Sequence, residues 1–200
     1  MSNSTVLKSS KKKSALGILL FGVALEALII LFSIGSEGFT LEALHVTTRF
    51  SGRLSLLAFS LILLLYDRRG VIRLDFAFLL FAVLHGIHLI ELISYVRLSG
   101  VELIPIRVLG GFVAYAMIFA MPVIESRHQK GKMSTKTFHA LEAVFFSYVW
   151  LIFFLTYLPR VMGTLPNVGG TFTEHVILFS WIIILGTIKL VSVIGAKMES

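Results

Sequence analysis

The sequence predicts an all-α integral membrane protein, a six-transmembrane-helix bundle with both termini in the cytoplasm. Three observations predict it. Of 200 residues, 56% are hydrophobic and 14% are charged, with a mean hydropathy of +0.91; soluble domains carry about a quarter charged residues. Six stretches, roughly 15–34, 50–66, 74–96, 103–124, 138–158 and 176–194, approach the ~20 apolar residues a helix needs to cross hydrocarbon. The basic residues also segregate by side. Lys8, Lys11, Lys12, Lys13, Arg68, Arg69, Arg73, Arg127, Lys130, Lys132, Lys136 and Lys197 fall on one side of such a bundle. Arg49, Arg53, Arg97, Arg107 and Arg160 fall on the other, together with Glu37, Glu42, Glu102 and Glu174. The positive-inside rule puts the richer side, and with it both termini, in the cytoplasm. The formal charge of +7 is therefore a membrane-side bias and not a nucleic-acid footprint.

Each element follows from local chemistry. Residues 1–14 are Ser/Lys-rich and are expected to be disordered, with the lysines near anionic headgroups. The apolar run that follows is too long for the core of a cleaved signal peptide and is read as a retained first helix. A polar, threonine-bearing outer loop is expected over 36–49, leading through Phe50-Ser51-Gly52-Arg53 into helix two. Asp67-Arg68-Arg69-Gly70 forms a tight inner turn before helix three. Pro105 suits the first turn of helix four, and Pro122 is expected to kink or terminate its far end. Between helices five and six, Pro159, Gly163, Pro166, Gly169 and Gly170 make 159–174 the longest irregular outer loop. One transmembrane domain, 15–196, and a short tail, 197–200, complete the chain. Cysteine is absent, which excludes disulfides, iron–sulfur clusters and thiolate ligation of haem.

Chemistry concentrates on helix three. His85, His88 and Glu91 stand at i, i+3 and i+6, on one broad face. Counting from Arg73 at about 1.5 Å per residue, His85 lies ~18 Å and His88 ~22 Å into the membrane. Intramembrane ionisable residues mark functional sites by default. Gly86 between them permits close approach of a flat ligand or of a neighbouring backbone. Two readings stand here: a polar core pair hydrogen-bonded to other helices, or ligands of a metal or a haem. His139, three residues before Glu142, reads either as an interfacial histidine or as a ligand. Glu26 and Glu142 read as protonated hydrogen-bond donors between helices, or as proton or quinone contacts. Arg53 and Arg107 read as interfacial anchors or as partners of haem propionates. Lys189 is expected to snorkel to the inner face, and His128 to be solvated in its basic loop. No pair of broken helices in corresponding halves supports a transporter.

The arrangement resembles the ferric-reductase-like transmembrane domain superfamily. Arg49-Phe50-Ser51-Gly52-Arg53 resembles the entry to that family's second helix, and Leu80-Phe81-Ala82-Val83-Leu84-His85 its haem-ligand helix. Ile124-Glu125-Ser126, the basic loop and Phe138-His139-Ala140-Leu141 are similar to its next histidine helix. The likeness covers roughly 45–158 and is closest to the haem-binding membrane subunit of the bacterial periplasmic methionine sulfoxide reductase system. The resemblance implies haem b held by His85 and His139, and electron transfer in the cell membrane, as in a bacterial inner membrane. With no flavin or nicotinamide domain, the chain would be at most an oxidoreductase subunit. It would take electrons from quinol or a partner reductase and pass them to a protein or small-molecule acceptor. The family's second helix-five histidine, thirteen residues after the first, is here Ile152, which cannot bind iron. His139 lies ~5 Å past Lys136, so a His85–His139 pair is offset in depth by ~13 Å. His88 with His175 or His45 is the alternative outer pair. The competing expectation is a non-catalytic subunit that keeps the bundle and has lost haem.

Overall fold

The computed structural model describes residues 3–65, 77–100, 105–165 and 169–198. It is all-α, with six helices long and apolar enough to cross a membrane: α1 (Asn3–Glu37), α2 (Leu41–Leu65), α3 (Ala77–Ser99), α4 (Pro105–Gln129), α5 (Thr135–Val161) and α6 (Phe172–Met198). The chain is a multi-pass integral membrane protein. The apolar span of α1 is Leu16–Glu37, and the helix continues back from it to Asn3 through the lysine-bearing segment. The Asp67–Gly70 turn lies outside the described residues, as does the side chain of Arg107.

The helices form two compact units, Met1–Glu102 and Leu103–Ser200. In the first, α1, α2 and α3 each pack on the other two, and α2 contributes the largest set of buried residues. Its buried face is unusual for a membrane helix, because Thr47, Thr48, Ser51, Ser55 and Ser60 accompany Leu56, Phe59, Ile62 and Leu63. Small hydroxyl residues let helices approach closely where lipid removes the usual hydrophobic drive for association. Thr47, Thr48 and Ser60 return their hydroxyls to carbonyls one turn back at 2.7–2.8 Å, so they carry little polarity into the interface. In the second unit, α5 packs against both α4 and α6. The Tyr148 hydroxyl donates to the Gly110 carbonyl at 3.2 Å, and the Trp150 indole donates to the Ile182 carbonyl at 2.9 Å.

Three helix limits differ from the sequence expectation. The outer loop expected over 36–49 shrinks to a tight connection, because Gly38 ends α1 and Thr40 begins α2. Gly38 takes a left-handed φ of 68° and bonds back to the Ile34 carbonyl, a conformation costly for any residue with a Cβ. Thr40 Oγ1 then accepts the Ala43 amide at 3.2 Å, a side-chain N-cap. Pro122 does not terminate α4, which runs on to Gln129. Pro159 is inside α5, and α6 opens at Phe172, so much of 159–174 is helical or tightly turned. There Thr171 and Glu174 cap each other reciprocally, at 2.7 and 3.2 Å.

Candidate functional site

Within the first unit the polar side chains of three helices meet. Ser51, fully buried on α2, donates its hydroxyl to Oε1 of Glu26 on α1 at 3.0 Å. Glu91, also buried, presents its carboxyl to the same hydroxyl from α3, but neither of its oxygens completes a hydrogen bond among the described residues. One turn back along α3, His88 lies flat against α2 at Gly52. A Cβ there would stand 3.0 Å from its Cε1, so only glycine leaves the ring its full space. One nitrogen of His88 bonds to the backbone of Thr48, while Nδ1 is buried without a hydrogen-bond partner. His85 follows at 5.5 Å between ring centroids and packs on Phe81 at 5.2 Å.

His85, His88 and Glu91 thus share the helix face that their spacing predicts. Being three apart on one helix, the two histidines cannot be opposite axial ligands of a single iron, and each would need a partner from another helix. His45 does not supply one inside this unit. Its ring stacks on Tyr95 at 4.8 Å and 13°, ~10 Å beyond His88 along α3. The Arg53 guanidinium lies over the Phe50 ring at 4.9 Å, with Arg49 at 5.5 Å from the same ring. A guanidinium over a ring face is held by its quadrupole, while Nε of Arg49 is buried without a hydrogen-bond partner among the described residues.

In the second unit, Nδ1 of His139 is 2.8 Å from Oε2 of Glu142, a contact between a half-exposed ring and a buried carboxyl. The sequence left this pairing open, with His139 readable as interfacial or as a ligand and Glu142 as a protonated donor between helices or a proton or quinone contact. His128 is not merely solvated: its ring stacks on Phe138 at 4.4 Å and 5°, and Nδ1 lies 3.3 Å from the Met133 carbonyl. Lys189 places its ammonium 5.3 Å from the Phe146 ring centroid. His175 is buried in the first turn of α6. Ile152, at the position where the resemblance implies a histidine, points its Cδ1 at Gly110 of α4, 3.5 Å from where a Cβ would sit. An aliphatic side chain thus packs between α4 and α5 at this position.

Among the described residues, no group of three or more His, Cys, Asp or Glu side chains is placed to hold a metal ion. Comparison of the chain with protein-family models, curated proteins and solved structures finds no match.

Proposed function

We propose that the chain is a b-type haem-binding membrane protein that passes electrons within or across the bilayer to a partner, with His85 and His139 as the ligand residues. The observation that supports it most is the His139–Glu142 contact at 2.8 Å. A carboxylate that accepts a hydrogen bond from Nδ1–H fixes the imidazole tautomer and leaves the Nε2 lone pair for a metal, the arrangement common to metal-bound histidines. His85 supplies a second imidazole on a transmembrane helix, packed on the Phe81 ring. Gly86 is the residue between the two histidines at which a flat ring could approach the helix, and Arg53 and Arg107 are the residues proposed to pair with propionates. His88 and His175 are the alternative ligands for an outer-side haem. Bound haem would supply one-electron chemistry; the residues named here hold, orient and shield it. Electron donors by chemical class are a quinol or a partner reductase. Both chain termini are proposed to face the cytoplasm.

A second reading has its own observation. Ile152 fills the α4–α5 contact and His88 is absorbed in packing on Gly52, which suits a non-catalytic subunit that has kept the bundle and lost the cofactor. A reduced-minus-oxidised spectrum of protein purified from haem-replete cells separates the two. The electron-transfer reading expects a b-type spectrum that His85→Ala abolishes or sharply reduces and His128→Ala leaves intact. Colourless protein with no Soret band after haem addition would establish the second reading.

A further inference from the structure

We propose that Glu26, Ser51 and Glu91 form an intramembrane proton-binding site, in which the two carboxyls hold at least one proton between them at neutral pH. Glu26 accepts the Ser51 hydroxyl and Glu91 faces it from another helix, and both carboxyls are almost wholly buried, at 1% and 7% exposure. A carboxylate in such a place is costly unless it is paired. No cationic side chain pairs with either glutamate among the described residues. The other titratable or charged groups on the facing helices are Glu42, His45, Arg49 and Arg53 on α2 and His85, His88, Tyr95 and Arg97 on α3. Of these, His45 is stacked on Tyr95, and the Arg49 and Arg53 guanidiniums lie over Phe50.

Hydrogen-bond accounting points the same way. Oε2 of Glu26, both oxygens of Glu91 and Nδ1 of His88 are buried and lack a hydrogen-bond partner. Of the hydroxyls on this face of α2, Ser51 already gives its hydrogen to Glu26. Ser55, one turn along the same face of α2, fully buried and without a partner, leaves one hydroxyl hydrogen against three unpartnered carboxyl oxygens. The cluster therefore has more lone pairs than hydrogens. Protonation corrects this, because each proton taken from water forms an O–H bond on a carboxyl oxygen and turns an acceptor into a donor. No electron moves in that step. A small cation would also satisfy lone pairs, but no third acidic or histidine ligand is placed for one among the described residues.

The site stands independently of the haem reading, since a missing Soret band leaves it untouched and a missing proton leaves the haem test untouched. The measurement is infrared difference spectroscopy of the full chain in lipid nanodiscs at neutral pH. Wild type minus Glu26→Gln, or wild type minus Glu91→Gln, is expected to contain a carboxylic-acid C=O band that moves to lower frequency in D₂O. Glutamine keeps the shape and supplies N–H donors, so both variants are expected to fold, as judged by a single symmetric gel-filtration peak. Ser51→Ala keeps both carboxyls and provides the second line: it should raise the frequency of the band by removing a hydrogen bond to Glu26. Difference spectra with only carboxylate bands would overturn the proposal. So would a band that converts to carboxylate on addition of sodium or calcium ions, since the cluster would then be a cation site. An unshifted band in Ser51→Ala would remove Ser51 from it.

Discussion

Gly52 carries more of the first unit than its size suggests. Its missing side chain is what lets the His88 ring lie on α2, with a notional Cβ already at 3.0 Å from Cε1. Gly52→Leu should therefore force the ring or the helix away, and overpacking of this kind costs roughly 1–3 kcal/mol. Gly35→Leu is the matched control, since nothing stands within 4 Å of that position. Thermal unfolding in detergent should give a clearly lowered midpoint for the first and a nearly unchanged one for the second; equal midpoints would mean that α2 and α3 do not depend on this contact. Gly186 poses the same test in the second unit. A Cβ there would fall 2.7 Å from the Trp150 ring. Because that indole also bonds to the Ile182 carbonyl, Gly186→Ala should weaken the α5–α6 contact more than Trp150→Phe, which loses one hydrogen bond worth about 1 kcal/mol. The order of the two midpoints checks this.

At the scale of elements, the helices end where side chains take over their orphan amides. Ser134 accepts the Thr137 amide at 3.1 Å at the start of α5, and Thr171 and Glu174 cap α6 reciprocally. Removing such a cap costs about 1 kcal/mol. Ser134→Ala should release the turn that holds the His128–Phe138 stack, which lies just beyond it. Faster amide hydrogen exchange confined to residues 131–138 is the expected result; exchange spreading through α5 would show that the cap holds the whole helix. Helix α2 is distinct at this scale because its polar face is internal. Most of its hydroxyls are satisfied within the helix, whereas Ser51 is turned outward to Glu26. That departure from the local pattern adds a hydrogen bond to the packing of α2 on α1.

For the whole molecule, the side-to-side charge bias makes the strongest prediction. The chain has no cysteine, so single cysteines introduced at Ser200 and Thr171 can be labelled without background. A membrane-impermeant maleimide should reach Thr171→Cys from outside and Ser200→Cys only from the cytoplasmic side. Labelling of both from one side would overturn the proposed topology and, with it, the depth ordering of every histidine.

The existence, number and order of the membrane helices were determined by the sequence alone, because lipid offers backbone groups no partner and long apolar runs have no other way to cross it. The face shared by His85, His88 and Glu91 was legible for a similar reason, since helical periodicity fixes direction once the helix is given. Helix limits were less legible: the expected loop over 36–49 became helix because apolarity fades before helicity does, and the cap at Thr40 sets the boundary instead. Partnerships belonged to the tertiary structure. Nothing in the one-dimensional pattern joins Glu26 to Ser51, 25 residues away, or lays His88 on Gly52, or turns Ile152 onto Gly110. These depend on which faces of separate helices meet. In a bilayer, that choice is made by close packing and a few hydrogen bonds, to which hydrophobic periodicity is blind because every face is apolar.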